Sequence, residues 1–153
     1  MKVKIAIEPV DQPEALALIS ELDAHLQALY PPKSRHGLTV AELRGSNILF
    51  VLARDEQDAA HGCGAVALLD GHAELKRMFV RPASRGLGVA DAIVAFLERE
   101  ASNRGYGVMR LETGLYQTAA LSFYARLGYA RRDPFGAYRP DPLCVFMEKR
   151  LAG

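Results

Sequence analysis

At 153 residues the chain has room for one ordinary domain (1–153) and little for two; half of it is hydrophobic and 24% charged, which calls for a sizeable core beneath a solvated surface. Nineteen basic residues against eighteen acidic ones leave a net charge of +1, so neither a nucleic-acid nor an anionic-membrane partner has electrostatic support. No run reaches the roughly 18 apolar residues a membrane span requires, and Cys63 and Cys144 show neither Cys-x-x-Cys nor metal-ligand spacing, a usage that fits buried, reduced thiols in a cytoplasmic protein.

In chain order, residues 2–8 alternate like a strand rather than a signal peptide and are closed by Pro9. Asp11 and Pro13 predict a helix start, and Leu16, Ile19, Leu22, Leu26 and Leu29 continue at helical spacing until Tyr30-Pro31-Pro32 stops it. Residues 30–38 read as a loop and 39–44 as a short second helix. Strands are expected over 47–54, 62–69 and 73–81, separated by Asp55-Glu56-Gln57-Asp58 and by Asp70-Gly71, a strong turn signal. A helix follows to about Arg104, with Val89, Ile93, Phe96 and Leu97 on its buried face and Gly105 as its stop. Then come a strand over 107–113, a helix over 117–127 closed by Gly128, and strands near 129–133 and 143–150. The order β-α-α-β-β-β-α-β-α-β-β implies an α/β (α+β) fold: a mixed, mostly antiparallel sheet flanked by helices.

The stretch Val80-Arg81-Pro82-Ala83-Ser84-Arg85-Gly86-Leu87-Gly88-Val89-Ala90 takes a strand through a glycine turn directly into an amphipathic helix. Glycines let the backbone approach a ligand, and the unpaired amides of the helix start, its dipole and Arg85 suit an anion such as a pyrophosphate. A tight turn with no ligand has the same spacing. Neither a P-loop nor a dinucleotide fingerprint is present.

Arg85-x-x-Gly88-x-Ala90 resembles the Arg/Gln-x-x-Gly-x-Gly/Ala signature of the GNAT N-acetyltransferase superfamily. Glu74 to Val80 resembles the strand that precedes it, and Leu121-Ser122-Phe123-Tyr124-Ala125-Arg126-Leu127-Gly128-Tyr129 resembles the family's later Tyr-x-x-x-Gly-Phe element. The chain departs from the pattern at Gln117-Thr118, where many relatives carry Asn. The resemblance implies an acetyl-CoA-dependent N-acetyltransferase without a metal. It places the pyrophosphate on the amides of Arg85, Gly86, Leu87, Gly88, Val89 and Ala90, and the pantetheine arm along Met78, Phe79 and Val80, with Gln117 and Tyr124 close by. From Val80 back to Glu74 is about 20 Å of strand, comparable to an extended pantetheine arm, which puts the thioester near residues 74–78.

Acetylating an amine requires removal of a proton and protonation of the departing thiolate. Glu74, which alternates with Lys76, Met78 and Val80, is either the base or a strand carboxylate paired with a cation. Tyr124 is the candidate acid, with a packing role as its alternative. On the acceptor side the candidate contacts are Tyr30 and His36 from the loop at 30–38, Tyr138 from the loop at 135–142, and Arg77 of the strand at 73–81, with Arg77, Arg139 and Lys33 able to meet a carboxylate. A small-molecule amine is the expected partner; a protein amine or a silent acyl-CoA-binding role are the alternatives. A homodimer has the support of symmetry base rates and family habit only.

Overall fold

The computed structural model describes residues 1–152. Its elements follow the expected order with slightly shifted ends: β1 (Lys4–Ile7), α1 (Pro13–Leu29), α2 (Val40–Leu43), β2 (Ile48–Arg54), β3 (Ala60–Leu68), β4 (Ala73–Val80), α3 (Val89–Asn103), β5 (Val108–Gly114), α4 (Thr118–Arg126), β6 (Ala130–Arg132) and β7 (Cys144–Arg150). Pro13 opens α1, where its missing N–H costs nothing. Asp11 does not cap that helix. Gln12 holds the cap position, and Asp11 pairs with Arg44 at 2.6 Å. The short α2 closes on a reciprocal cap between Thr39 and Glu42.

The strands form one seven-stranded sheet in the order β1-β2-β3-β4-β5-β7-β6. Hairpin neighbours are antiparallel, whereas α3 crosses over between β4 and β5 and makes that pair parallel. The parallel pairing is brief: Ala73 faces Met109 and Glu74 faces Arg110, and there it stops. Beyond Glu74 the two strands diverge, and residues 75–80 of β4 have no strand partner on the β5 side.

A β-bulge sharpens this divergence. The β3–β4 register slips between the Cys63–Phe79 and Ala65–Lys76 pairs, and Arg77 sits at φ 54°, a region a side-chain-bearing residue occupies only at some cost. The bulge breaks the alternation expected along Glu74, Lys76, Met78 and Val80. Leu75 and Val80, an odd number of residues apart, pack into the same core, while Phe79 packs into the other.

Two main cores result, one on each face, beside a smaller cluster of Phe135, Cys144 and Phe146. Val89, Ile93, Val94 and Leu97 of α3 join Val51, Val66, Met109 and Leu111, with Tyr124 of α4 completing that side. Leu18, Ile19 and Leu22 of α1 cover Phe50, Leu52 and Ala65 on the opposite face. Alternating residues of β2 divide between them, as the strand period of two demands. No helix among the described residues is long and apolar enough to cross a membrane.

Candidate active site

The glycine turn forms as its chemistry dictates. Gly86 and Gly88 adopt φ of 76° and 84°, and a Cβ at either would meet nothing within 4 Å. Glycine is therefore required by backbone conformation, and the space outside the turn stays open to a ligand. Gly88 caps α3 and offers no side chain to its first amides, which leaves the anion-seeking end of the helix uncovered. Arg85 donates to the Val80 carbonyl at 2.9 Å and stacks over Phe79. The turn is pinned from behind: His61 bridges Asp55 at 2.6 Å and Ser84 at 2.7 Å. Ser84 is buried, so this Ser-His-Asp chain orders the turn rather than exposing a nucleophile.

Along this turn and the unpartnered edge of β4 runs a groove of about 720 Å³. Met78, Phe79, Val80, Arg85, Gly86, Gly88, Val89, Ala90, Gln117 and Tyr124, all expected to hold the donor, line it. Leu87 does not; it is 44% exposed. The Gln117 side chain accepts from the Gly114 amide at 3.0 Å, so its carbonyl serves the turn before α4.

The groove narrows into a passage of about 120 Å³ between the diverging strands, with Leu22, Met78, Gln117, Ala120 and Tyr124 lining both. Through His36 and Lys76 the passage adjoins a cleft of about 820 Å³ under the loops at 31–38 and 135–142. His36 and Tyr138 line this cleft, whereas Tyr30 and Arg77 line the passage instead. Tyr30 is a buttress: its hydroxyl accepts from the Tyr116 amide at 3.0 Å, and a Cβ on Gly114 would overlap its ring. Arg77 is buried and pairs with Asp23 at 2.6 Å.

Glu74 is buried and held through one oxygen, Oε2. Its carboxylate accepts from the Tyr138 hydroxyl at 2.6 Å and lies 3.1 Å from the Lys76 ammonium. Lys76 donates in turn to the Tyr138 oxygen at 2.5 Å and to the His36 carbonyl at 3.0 Å. Burial and the Glu74 charge hold the Tyr138 phenol protonated far above neutrality.

A second carboxyl lines the passage itself. Glu112 of β5 is pushed up to about 7, chiefly by desolvation, with a hydrogen bond from Cys144 and the Lys76 charge pulling the other way. Sequence alone does not single out Glu112, because Arg110 and Glu112 look like the solvated positions of an alternating strand. Tyr124 is buried, makes no side-chain hydrogen bond among the described residues, and is held protonated by desolvation alone.

His36, Asp141 and Cys144, distant in sequence, bring one donor atom each to within 4.8 Å of one another. Asp141 is occupied by Ser34 at 2.6 Å and by the Leu143 amide at 2.8 Å. Burial and the neighbouring Glu112 and Asp141 carboxyls push the Cys144 thiol up to about 12, which opposes thiolate ligation.

Residues 16–129 match the acetyltransferase (GNAT) family model. An IAA acetyltransferase of Azospirillum brasilense is 42% identical over 151 residues, which cover 97% of this chain and 98% of that protein. A solved structure from Klebsiella pneumoniae named for acyl-CoA N-acyl transfer superposes with a TM-score of 0.82 at 36% identity, covering 98% of both chains. The PaiA N-acetyltransferase of Thermoplasma acidophilum, crystallised with coenzyme A, has the same fold, with a TM-score of 0.75 at 16% identity over 98% of this chain and 99% of that one.

Proposed function

The chain belongs to the GNAT acetyltransferase family, and from that premise we propose that it acetylates the primary amine of a small molecule, by direct attack in a complex holding both substrates. It is an N-acetyltransferase, and its acyl donor is acetyl-CoA. One observation carries the small-molecule reading: the donor groove joins, through a passage of about 120 Å³, a cleft lined by the two loops at 31–38 and 135–142.

The donor side fits coenzyme A on this chain's own features. The open glycine turn and uncapped α3 start suit a pyrophosphate, and the unpartnered β4 edge suits an extended amide-bearing arm. When bound, acetyl-CoA supplies an activated acetyl carbonyl at the passage.

The protein's part is proton management. An ordinary alkylammonium loses its proton at a cost of roughly 4–5 kcal/mol at pH 7. Glu112, poised near neutrality, takes that proton. As the C–N bond forms and the C–S bond breaks, Tyr124 gives its proton to the departing sulfur, and the second amine proton replaces it through solvent. Glu74, tied to Lys76 and Tyr138 through one oxygen, shapes the cleft in this reading, with Glu112 as the base.

A thiol-release screen with acetyl-CoA against amino acids, polyamines, aminoglycosides and Lys peptides tests this reading, with calorimetry of CoA binding alongside. Turnover confined to Lys peptides would replace the small-molecule acceptor with a protein one. CoA binding without turnover of any amine would favour a silent acyl-CoA-binding domain.

A further inference from the structure

We infer that the acceptor is a free α-amino acid with an apolar or aromatic side chain, its carboxylate held by Arg35 and Arg77; this rests on the acetyl-transfer reading above. Both arginines line the passage, and both keep a buried Nε–H without a partner. A buried donor left unpaired costs about 1–3 kcal/mol, so two in one passage point to an absent acceptor group. Arg77 uses its far nitrogen on Asp23, whereas Arg35 has no ion pair or side-chain hydrogen bond among the described residues. The loop that carries Arg35 and the Arg77 guanidinium belong to one neighbourhood. Gly37, two residues after Arg35, lies so close to the Arg77 guanidinium that a Cβ there would overlap it.

Glu112 lines the same passage. An amine delivered to Glu112 and a carboxylate delivered to the arginines must therefore share about 120 Å³. An α-amino acid head group, with both charges on one carbon, meets that demand, and a long diamine does not. A polyamine would also bring further cations towards Arg35, Arg77 and Lys76. The cleft beyond is walled by Leu38, Ile48, Leu69 and Tyr138, a lining that stabilises an apolar side chain by removing it from water.

The test compares leucine and phenylalanine with their decarboxylated counterparts, 3-methylbutylamine and phenethylamine, in acetyl-CoA turnover by the full chain. A kcat/KM at least tenfold higher for the amino acids supports the inference, as does Arg35→Gln shrinking that ratio at least fivefold while Arg35→Lys preserves part of it. Arg35 makes no intramolecular bond that folding would lose, and thermal melts of both variants check this. Turnover of the decarboxylated amines equal to or above that of the amino acids would overturn this inference and leave the acetyl-transfer reading intact. Turnover of no amine, with CoA bound in calorimetry, would overturn both.

Discussion

The Tyr138 hydroxyl donates a 2.6 Å hydrogen bond to Glu74 across 64 residues of chain, while Lys76 lies 3.1 Å from the same carboxylate oxygen. The loop before β7 is thereby fastened to the middle of the sheet, over the acceptor cleft. Replacing Lys76 by Met leaves the Glu74 charge buried without its cation and is expected to cost about 3 kcal/mol. Tyr138→Phe removes one donor and costs about 1 kcal/mol. Urea unfolding measures both. A Lys76→Met chain as stable as the parent would mean that Glu74 is solvated.

Glu112 makes a prediction about pH. With its carboxyl raised to about 7, kcat/KM should climb with pH through that region and then level off. Glu112→Gln should remove the climb and lower kcat about 100-fold. The sign for stability is opposite. Between the ordinary value of 4.5 and about 7 the folded chain holds a proton that the unfolded chain has released, so this group's contribution declines as pH rises through that window. Unfolding midpoints at several pH values should show a shallower decline for the Gln variant.

Tyr124 offers its hydroxyl to no group among the described residues, yet its ring is packed against Phe123 and Tyr129. Removing the oxygen alone should leave folding nearly untouched. Tyr124→Phe is expected to lower kcat about 100-fold, with the KM for acetyl-CoA and the melting temperature close to those of the parent. A large fall in melting temperature with unchanged kcat would return Tyr124 to a packing role.

Gly88 and Gly105 stand at the two ends of α3 with nearly equal φ, 84° and 89°. Alanine at either should cost about 1 kcal/mol for the left-handed backbone alone. Only Gly88→Ala should raise the KM for acetyl-CoA, by an expected tenfold or more, since it displaces amides that face the donor. Equal effects of the two variants on KM would remove the turn from donor binding.

Local features carried most of what could be read in advance. Gly86 and Gly88 announce the turn because no other residue adopts that backbone cheaply, and Pro13 and the Pro31-Pro32 pair bound α1 for similarly local reasons. Tyr124 was legible through its helical spacing and the Tyr-x-x-x-Gly element. Glu112 was not, because in an alternating strand it resembles a solvated residue until the divergence of β4 and β5 encloses it. The engagement of Glu74 depended on Tyr138, and the empty donors of Arg35 and Arg77 depended on a loop folding over a bulge. Contacts that span the chain leave no trace in residue spacing. The bulge at Arg77 also defeated the simple period of two along β4.

The parting of β4 from β5 leaves residues 75–80 as a strand edge inside the sheet rather than at its rim. Open edges recruit extended chains, and in the proposed complex the pantetheine arm is the chain recruited. Donor binding then contributes to the integrity of the sheet itself. At a concentration 100 times its Kd, a ligand of the folded state alone adds about 2.7 kcal/mol to stability. Resistance of this protein to proteolysis should thus track the supply of its own thioester, and scarcity of acetyl-CoA would shorten the lifetime of the enzyme as well as slow its turnover.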